Sequence, residues 1–164
     1  MSDEDHLSHQ PPCGIYRTTL PIKGSTGEES VPAGVLVFFH NHGDPGPGVY
    51  MPREWKNNRA SFHDRGVTIP DDGYPESLEP LLPEGFYRVA EPFHCCDNRC
   101  QYFDTDLLVQ LGYNGDAEPI LFIPEMIDGA LALPATGTII DDWKLAKLTP
   151  LKVPVGEPPS GPTN

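Results

Sequence analysis

The sequence predicts a mainly β fold, a small antiparallel β-barrel or sandwich carrying one or two short helices. Turn-forming residues are frequent, with 20 prolines and 16 glycines spread through 164 residues, against a combined usage of roughly 12% in average proteins. Between them lie short runs of aliphatic, β-branched and aromatic residues, the punctuation expected of strands. Those runs do not alternate with long helical patterns, so a parallel sheet of βαβ units is not expected. No internal repeat is apparent, and a chain of this length fits one domain with a stable core.

Taken in order, residues 1–12 form an acidic, polar leader, and 154–164 are Pro/Gly-rich with little to bury. Both ends are expected to be disordered, which leaves 13–153 as a single β-rich domain. Strands are expected in "GIYRTTL", "AGVLVFFH", "EGFYRVAEPF", "LLVQLGY", "EPILFIP" and "GTII". Asn114-Gly115 predicts a tight hairpin between Leu107–Tyr113 and Glu118–Pro124, supplying the positive φ angles such a turn needs. A helix of about three turns is expected from Pro52, stacking Trp55, Arg59 and Phe62 on one face. A second, shorter one is expected in "DDWKLAKL", capped by Asp141 or Asp142 and burying Trp143, Ala146 and Leu148.

Charge narrows the classes of partner. Eleven Lys plus Arg stand against 24 Asp plus Glu, a formal charge of −13, which disfavours nucleic acid and anionic membrane. No apolar run approaches the roughly 20 residues that span a bilayer, and "MSDEDHLSHQPP" lacks the pattern of a secretory signal. A cytoplasmic location is expected, with the four cysteines kept as thiols or metal ligands.

Two stretches carry the chemistry. "FHCCDNRCQYF" places His94, Cys95, Cys96 and Cys100 in a polar turn. Cys96-x₃-Cys100 or Cys95-x₄-Cys100 is half of a structural zinc site, and Cys13, His94 or the pair His40 and His42 could supply the other half. Along a regular strand Cys95 and Cys96 point to opposite faces, so both join Cys100 only if the backbone turns there. Ordinary buried thiols and a redox pair are the other readings of the same turn. In "AGVLVFFHNHGDPGPG" a strand delivers His40 and His42 to one face, where two imidazoles can share one metal ion.

Gly34, five residues and then His40-Asn41-His42 resemble the opening of the cupin signature, a His-x-His metal site inside a β-barrel. Gly46 and Pro47 stand where that family has a glutamate. Pro83-Glu84-Gly85 echoes its second motif, with Arg88 in place of the histidine. The resemblance implies a cupin-like metalloenzyme holding a divalent metal through His40, His42 and either Asp44 or His94. No P-loop, dinucleotide fingerprint, nucleophile elbow or His-Glu-x-x-His motif occurs. The function expected first is therefore a non-catalytic binding or assembly module with a structural zinc or other divalent metal. Its contact surfaces would be loop 43–48 and the turn 93–103, toward a protein partner or another copy of the chain. The metalloenzyme and a thiol redox protein are the alternatives.

Overall fold

The computed structural model describes residues 11–24, 27, 29–42, 46–152, 154 and 156. The disorder expected of 1–10 and of most of 154–164, together with Asp44, lies outside the described residues. The fold is mainly β and antiparallel, in two five-stranded sheets, neither of which closes into a barrel. In the first sheet the order is Val67–Thr68, Gly48–Tyr50, Leu36–His40, Gly14–Arg17, Glu79–Pro80. In the second it is Thr138–Ile139, Pro119–Phe122, Leu108–Tyr113, Gly85–Val89, Leu148–Pro150. All six stretches expected to be strands contribute to these sheets.

The two orders are the same order, and the chain is a tandem repeat, contrary to the expectation of none. Tyr16 pairs Pro80 and Arg17 pairs Glu79, as Tyr87 pairs Pro150 and Arg88 pairs Thr149. Gly14 pairs Phe39, as Gly85 pairs Leu111. Small hairpins recur at the same places: Ile22–Lys23 with Glu29–Val31 matches Phe93–His94 with Tyr102–Phe103, and Pro52–Lys56 with Arg59–Phe62 matches Glu125–Ile127 with Ala130–Ala132. The sequence trace of this repeat is short: Pro12-Cys13-Gly14-Ile15-Tyr16-Arg17 against Pro83-Glu84-Gly85-Phe86-Tyr87-Arg88, Gly66 and Asp71-Asp72 against Gly137 and Asp141-Asp142, and Leu78-Glu79-Pro80 against Leu148-Thr149-Pro150.

Each repeat buries its own core from equivalent positions. Tyr16, Ile22, Val31, Val37, Phe39, Val49 and Leu78 fill the first; Tyr87, Phe93, Phe103, Val109, Leu111, Leu121 and Leu148 fill the second. The repeats meet where Leu36, Ala60 and Phe62 of the first join the core of the second. Arg17 reinforces that seam by donating to the Ala117 carbonyl at 2.5 Å and to both carboxylate oxygens of Asp142 at 3.1 Å.

The helix expected from Pro52 is instead the hairpin Pro52–Lys56/Arg59–Phe62. Asn57 and Asn58 both adopt positive φ, 54° and 66°, a two-residue turn that asparagine tolerates. The hairpin lies on the second repeat. Trp55 Nε1 donates to the Tyr113 carbonyl at 2.7 Å, and Asn58 Nδ2 donates to Oε1 of buried Gln110 at 2.9 Å. The segment after Asp141 is a 3₁₀ helix, Asp142–Lys147, with no side-chain cap. It exposes Trp143 at 64% and buries Lys144 at 6%, because Lys144 Nζ donates to the His94 carbonyl. The expected burial of Leu148 is found, whereas Trp143 and Ala146 face outward.

The hairpin at Asn114-Gly115 forms, but with different turn chemistry. Ala117 takes the positive φ, 61°, and Asn114 Oδ1 accepts from the backbone N–H groups of Asp116 and Glu118 at 3.0 and 2.9 Å. Among the described residues no helix is long and apolar enough to cross a membrane.

Candidate functional site

Strand alternation and register build the first candidate centre. Leu36, Phe38 and His40 share one face of their strand, while Val37 and Phe39 enter the core of the first repeat on the other. Gly14 lies opposite Phe39 in the neighbouring strand, so one residue earlier Cys13 falls opposite His40. The chain then turns at Asn41-His42 and brings the second imidazole back over the first, the two rings 4.7 Å apart at 87°.

Cys13 Sγ lies 3.6 Å from Nδ1 of His40 and 3.6 Å from Nδ1 of His42. With metal–sulfur bonds of about 2.3 Å and metal–nitrogen bonds of about 2.0–2.1 Å, the sulfur–nitrogen edge of a tetrahedral zinc site is about 3.6 Å. All three donor atoms lie within 4.8 Å of one another, so the group could hold a metal ion. Asn41 braces it: its backbone N–H donates to Cys13 Sγ at 3.4 Å, and its amide nitrogen donates to the Pro11 carbonyl at 3.1 Å. The His40 ring packs against Phe38 and Tyr50 at 5.4 and 5.8 Å.

Two hollows lie beside this group, both walled by Phe38 and Phe62. One, of about 550 Å³, is lined by Cys13, Ile15, Arg59, Leu81 and Glu84. The other, of about 380 Å³, is lined by His40, Tyr50, His63 and Asp64. Burial pushes the Glu84 carboxyl above its usual range, against the pull of the Ala60 N–H and the Arg59 charge. Nothing in the sequence places Glu84, His63 and Asp64 here, since it is the docking of the hairpin Pro52–Lys56/Arg59–Phe62 on the second repeat that brings Ala60 to Glu84 and carries His63 and Asp64 to the groove.

The second candidate centre is the cysteine turn. Its strand ends at His94, and the backbone does bend: the Arg99 N–H returns to the Cys96 carbonyl at 3.0 Å, with Arg99 at φ 55°. This places the sulfurs of Cys95, Cys96 and Cys100 within 4.8 Å of one another, another group that could hold a metal ion. Cys95 Sγ and Cys96 Sγ are 3.5 Å apart, and all four cysteines are free thiols. Hydrogen bonds from the Cys95 thiol and then from the backbone of Asn98 lower the Cys96 pKa, and charge on Cys96 raises that of Cys100.

The residues expected to contribute to one mixed site therefore divide. His40 and His42 join Cys13, which like them was one alternative for completing the cysteine turn, while Cys95, Cys96 and Cys100 stand together without a histidine. His94 belongs to neither group. Its ring packs on Tyr102 at 4.9 Å and its carbonyl is held by Lys144.

The repeat shows what the fold itself requires at these positions. By strand register, Cys13, His40 and His42 correspond to Glu84, Gly112 and Asn114. The hairpin that carries the three cysteines corresponds to Ile22–Val31, which contains none. Neither donor set is needed to build its part of the fold. Comparison of the chain with protein-family models, curated proteins and solved structures finds no match.

Proposed function

We propose that the protein is a non-catalytic metal-binding recognition module. Cys13, His40 and His42 hold one divalent ion, with zinc favoured by the mixed imidazole and thiolate donors. A fourth position is left for a donor from a protein partner seated along the adjoining groove. The observation that carries this reading is the pair of equal 3.6 Å distances from Cys13 Sγ to two imidazole nitrogens, an edge length suited to a shared ion. In the same reading the two sheets form an open sandwich across the seam at Leu36, Ala60 and Phe62.

The test is substitution by Co(II) in the full chain. One equivalent gives the visible bands of a tetrahedral ion with a thiolate charge-transfer band, lost in Cys13→Ser and kept in Cys100→Ser. Persistence of the band in Cys13→Ser overturns the assignment.

One observation favours a metalloenzyme as a second reading: Glu84, a carboxyl made more basic by burial, lines the same groove as Cys13. A basic carboxyl beside a metal is a pairing that hydrolytic sites use. Metal-dependent ester hydrolysis by the loaded chain, lost in Glu84→Gln, would establish it; equal rates with and without metal reject it.

A further inference from the structure

We propose that the turn Cys95–Cys100 is a second, separate metal site: a three-thiolate site for a soft monovalent ion, Cu(I). The donor set is all sulfur. No histidine or carboxylate joins it among the described residues. A closed zinc site takes four protein ligands, and a fourth is missing here. All-thiolate donors select soft ions, Cu(I) among them, and Cu(I) is satisfied by three. A metal–sulfur bond of about 2.3 Å in a planar three-coordinate site puts the sulfurs about 4.0 Å apart. The observed triangle has one side of 3.5 Å and none above 4.8 Å, so the fit needs only small side-chain rotations.

The turn is also held in place before any ion arrives. Cys95 is buried, its N–H donates to the Gln101 carbonyl at 2.9 Å, and its sulfur accepts from the Gln101 N–H at 3.3 Å. From the other side the Asp141 N–H donates to the Cys95 carbonyl at 3.2 Å, and Lys144 holds the carbonyl of His94. Cys100 is exposed, which leaves the ion a way in. The equivalent hairpin of the first repeat forms without a single thiol, so folding does not account for three of them here. On binding, each coordinating thiol gives up its proton to solvent and the ion keeps its oxidation state. This proposal is independent of the centre at Cys13 and stands or falls without it.

The test is anaerobic titration of the reduced full chain with Cu(I) against the competing chelator bicinchoninate, followed by X-ray absorption at the copper edge. One Cu(I) per chain should be retained, with three sulfur scatterers and no nitrogen. Cys100→Ser and Cys96→Ser should each weaken retention at least about 100-fold, since loss of a ligand exceeds the 10–100-fold cost of losing an outer partner. The double variant His40→Ala/His42→Ala should retain the ion. Near-UV circular dichroism checks that each variant is folded, and Cys100→Ser, at an exposed position, decides if Cys96→Ser is not. Complete loss of Cu(I) to the chelator, nitrogen in the copper shell, or loss in Cys13→Ser with retention in Cys100→Ser overturns the proposal.

Discussion

Tyr16 and Tyr87 sit at equivalent places and do the same thing, each donating its hydroxyl to the proline carbonyl four residues back, Pro12 and Pro83, at 2.7 Å. Gly66 and Gly137 are matched as closely. A Cβ on either would lie 2.7 or 2.6 Å from the carbonyl of Val49 or Leu121 and close to the ring of Tyr50 or Phe122. The repeats part company on one face. In the second repeat Glu84 accepts from the Ala60 N–H at 3.0 Å, and Gly112 leaves room for the Asn58 carbonyl, which would be 2.6 Å from a Cβ there. The hairpin of the first repeat covers that face. In the first repeat the same positions hold Cys13 and His40, and an imidazole stands where the glycine admits a hairpin. One backbone plan thus uses a surface for internal packing in one copy and for displaying a thiol and imidazoles that could hold a metal ion in the other.

That comparison can be broken most forcefully at Gly112. Gly112→Ala forces a methyl against the Asn58 backbone and should cost about 1–3 kcal/mol, the usual range for overpacking, read as a fall in the urea midpoint. The equivalent change in the first repeat, His40→Ala, should stay within about 0.5 kcal/mol while abolishing metal uptake. Equal losses of stability from both substitutions would mean that the two faces are not used differently.

The seam gives the next largest effect. Arg17→Met removes the bonds to Asp142 and the Ala117 carbonyl, and should cost roughly 1–2 kcal/mol, the scale of hydrogen bonds to charged groups discounted for partial exposure. Arg88, its counterpart, makes an exposed pair with Asp106, so Arg88→Met should change stability by less than about 1 kcal/mol.

A smaller, pH-dependent effect belongs to Glu84. Its folded-state pKa is raised above the ordinary 4.5, so its contribution to stability is full below that value and is lost as pH rises through the folded pKa. Glu84→Gln removes the charge and should flatten this part of the pH profile, raising stability at pH 7 relative to pH 4. The measurement is paired urea melts at the two values, and an unchanged profile would show that the buried carboxyl is not destabilising. The smallest effect is expected at His94, outside both donor groups: His94→Ala should leave zinc and copper uptake unchanged in the same competition titrations.

What was legible in the sequence was local. Short apolar runs between turn-formers announced the strands, and Asn114-Gly115 announced a hairpin, although the strained position fell to Ala117, whose carbonyl is held by Arg17. The spacing of Trp55, Arg59 and Phe62 fits a helical face, yet Trp55 opposite Ala60 across an Asn57-Asn58 turn fits a hairpin equally. Docking on the second repeat is what favours the hairpin. Alternation was expected to put His40 and His42 on one face of a strand, whereas the strand ends at His40 and the bend at Asn41-His42 brings the two rings together. Their partnership with Cys13 depends on the pairing of two strands distant in sequence, which no spacing encodes. The repeat itself was hidden because its halves keep little in a row beyond the Pro-x-Gly-x-Tyr-Arg strand start, the Asp-Asp pair and a Leu-x-Pro, while equivalent core positions exchange Val31 for Phe103 or Phe39 for Leu111.

The central claim is that the first repeat turns its free face into a mixed thiolate and imidazole centre. X-ray absorption at the zinc edge, on the reduced full chain loaded with one equivalent of zinc, tests it most directly. The account predicts one sulfur and two imidazole nitrogens around the ion, with the sulfur lost in Cys13→Ser. A shell of three sulfurs, or one of oxygen alone, would contradict it.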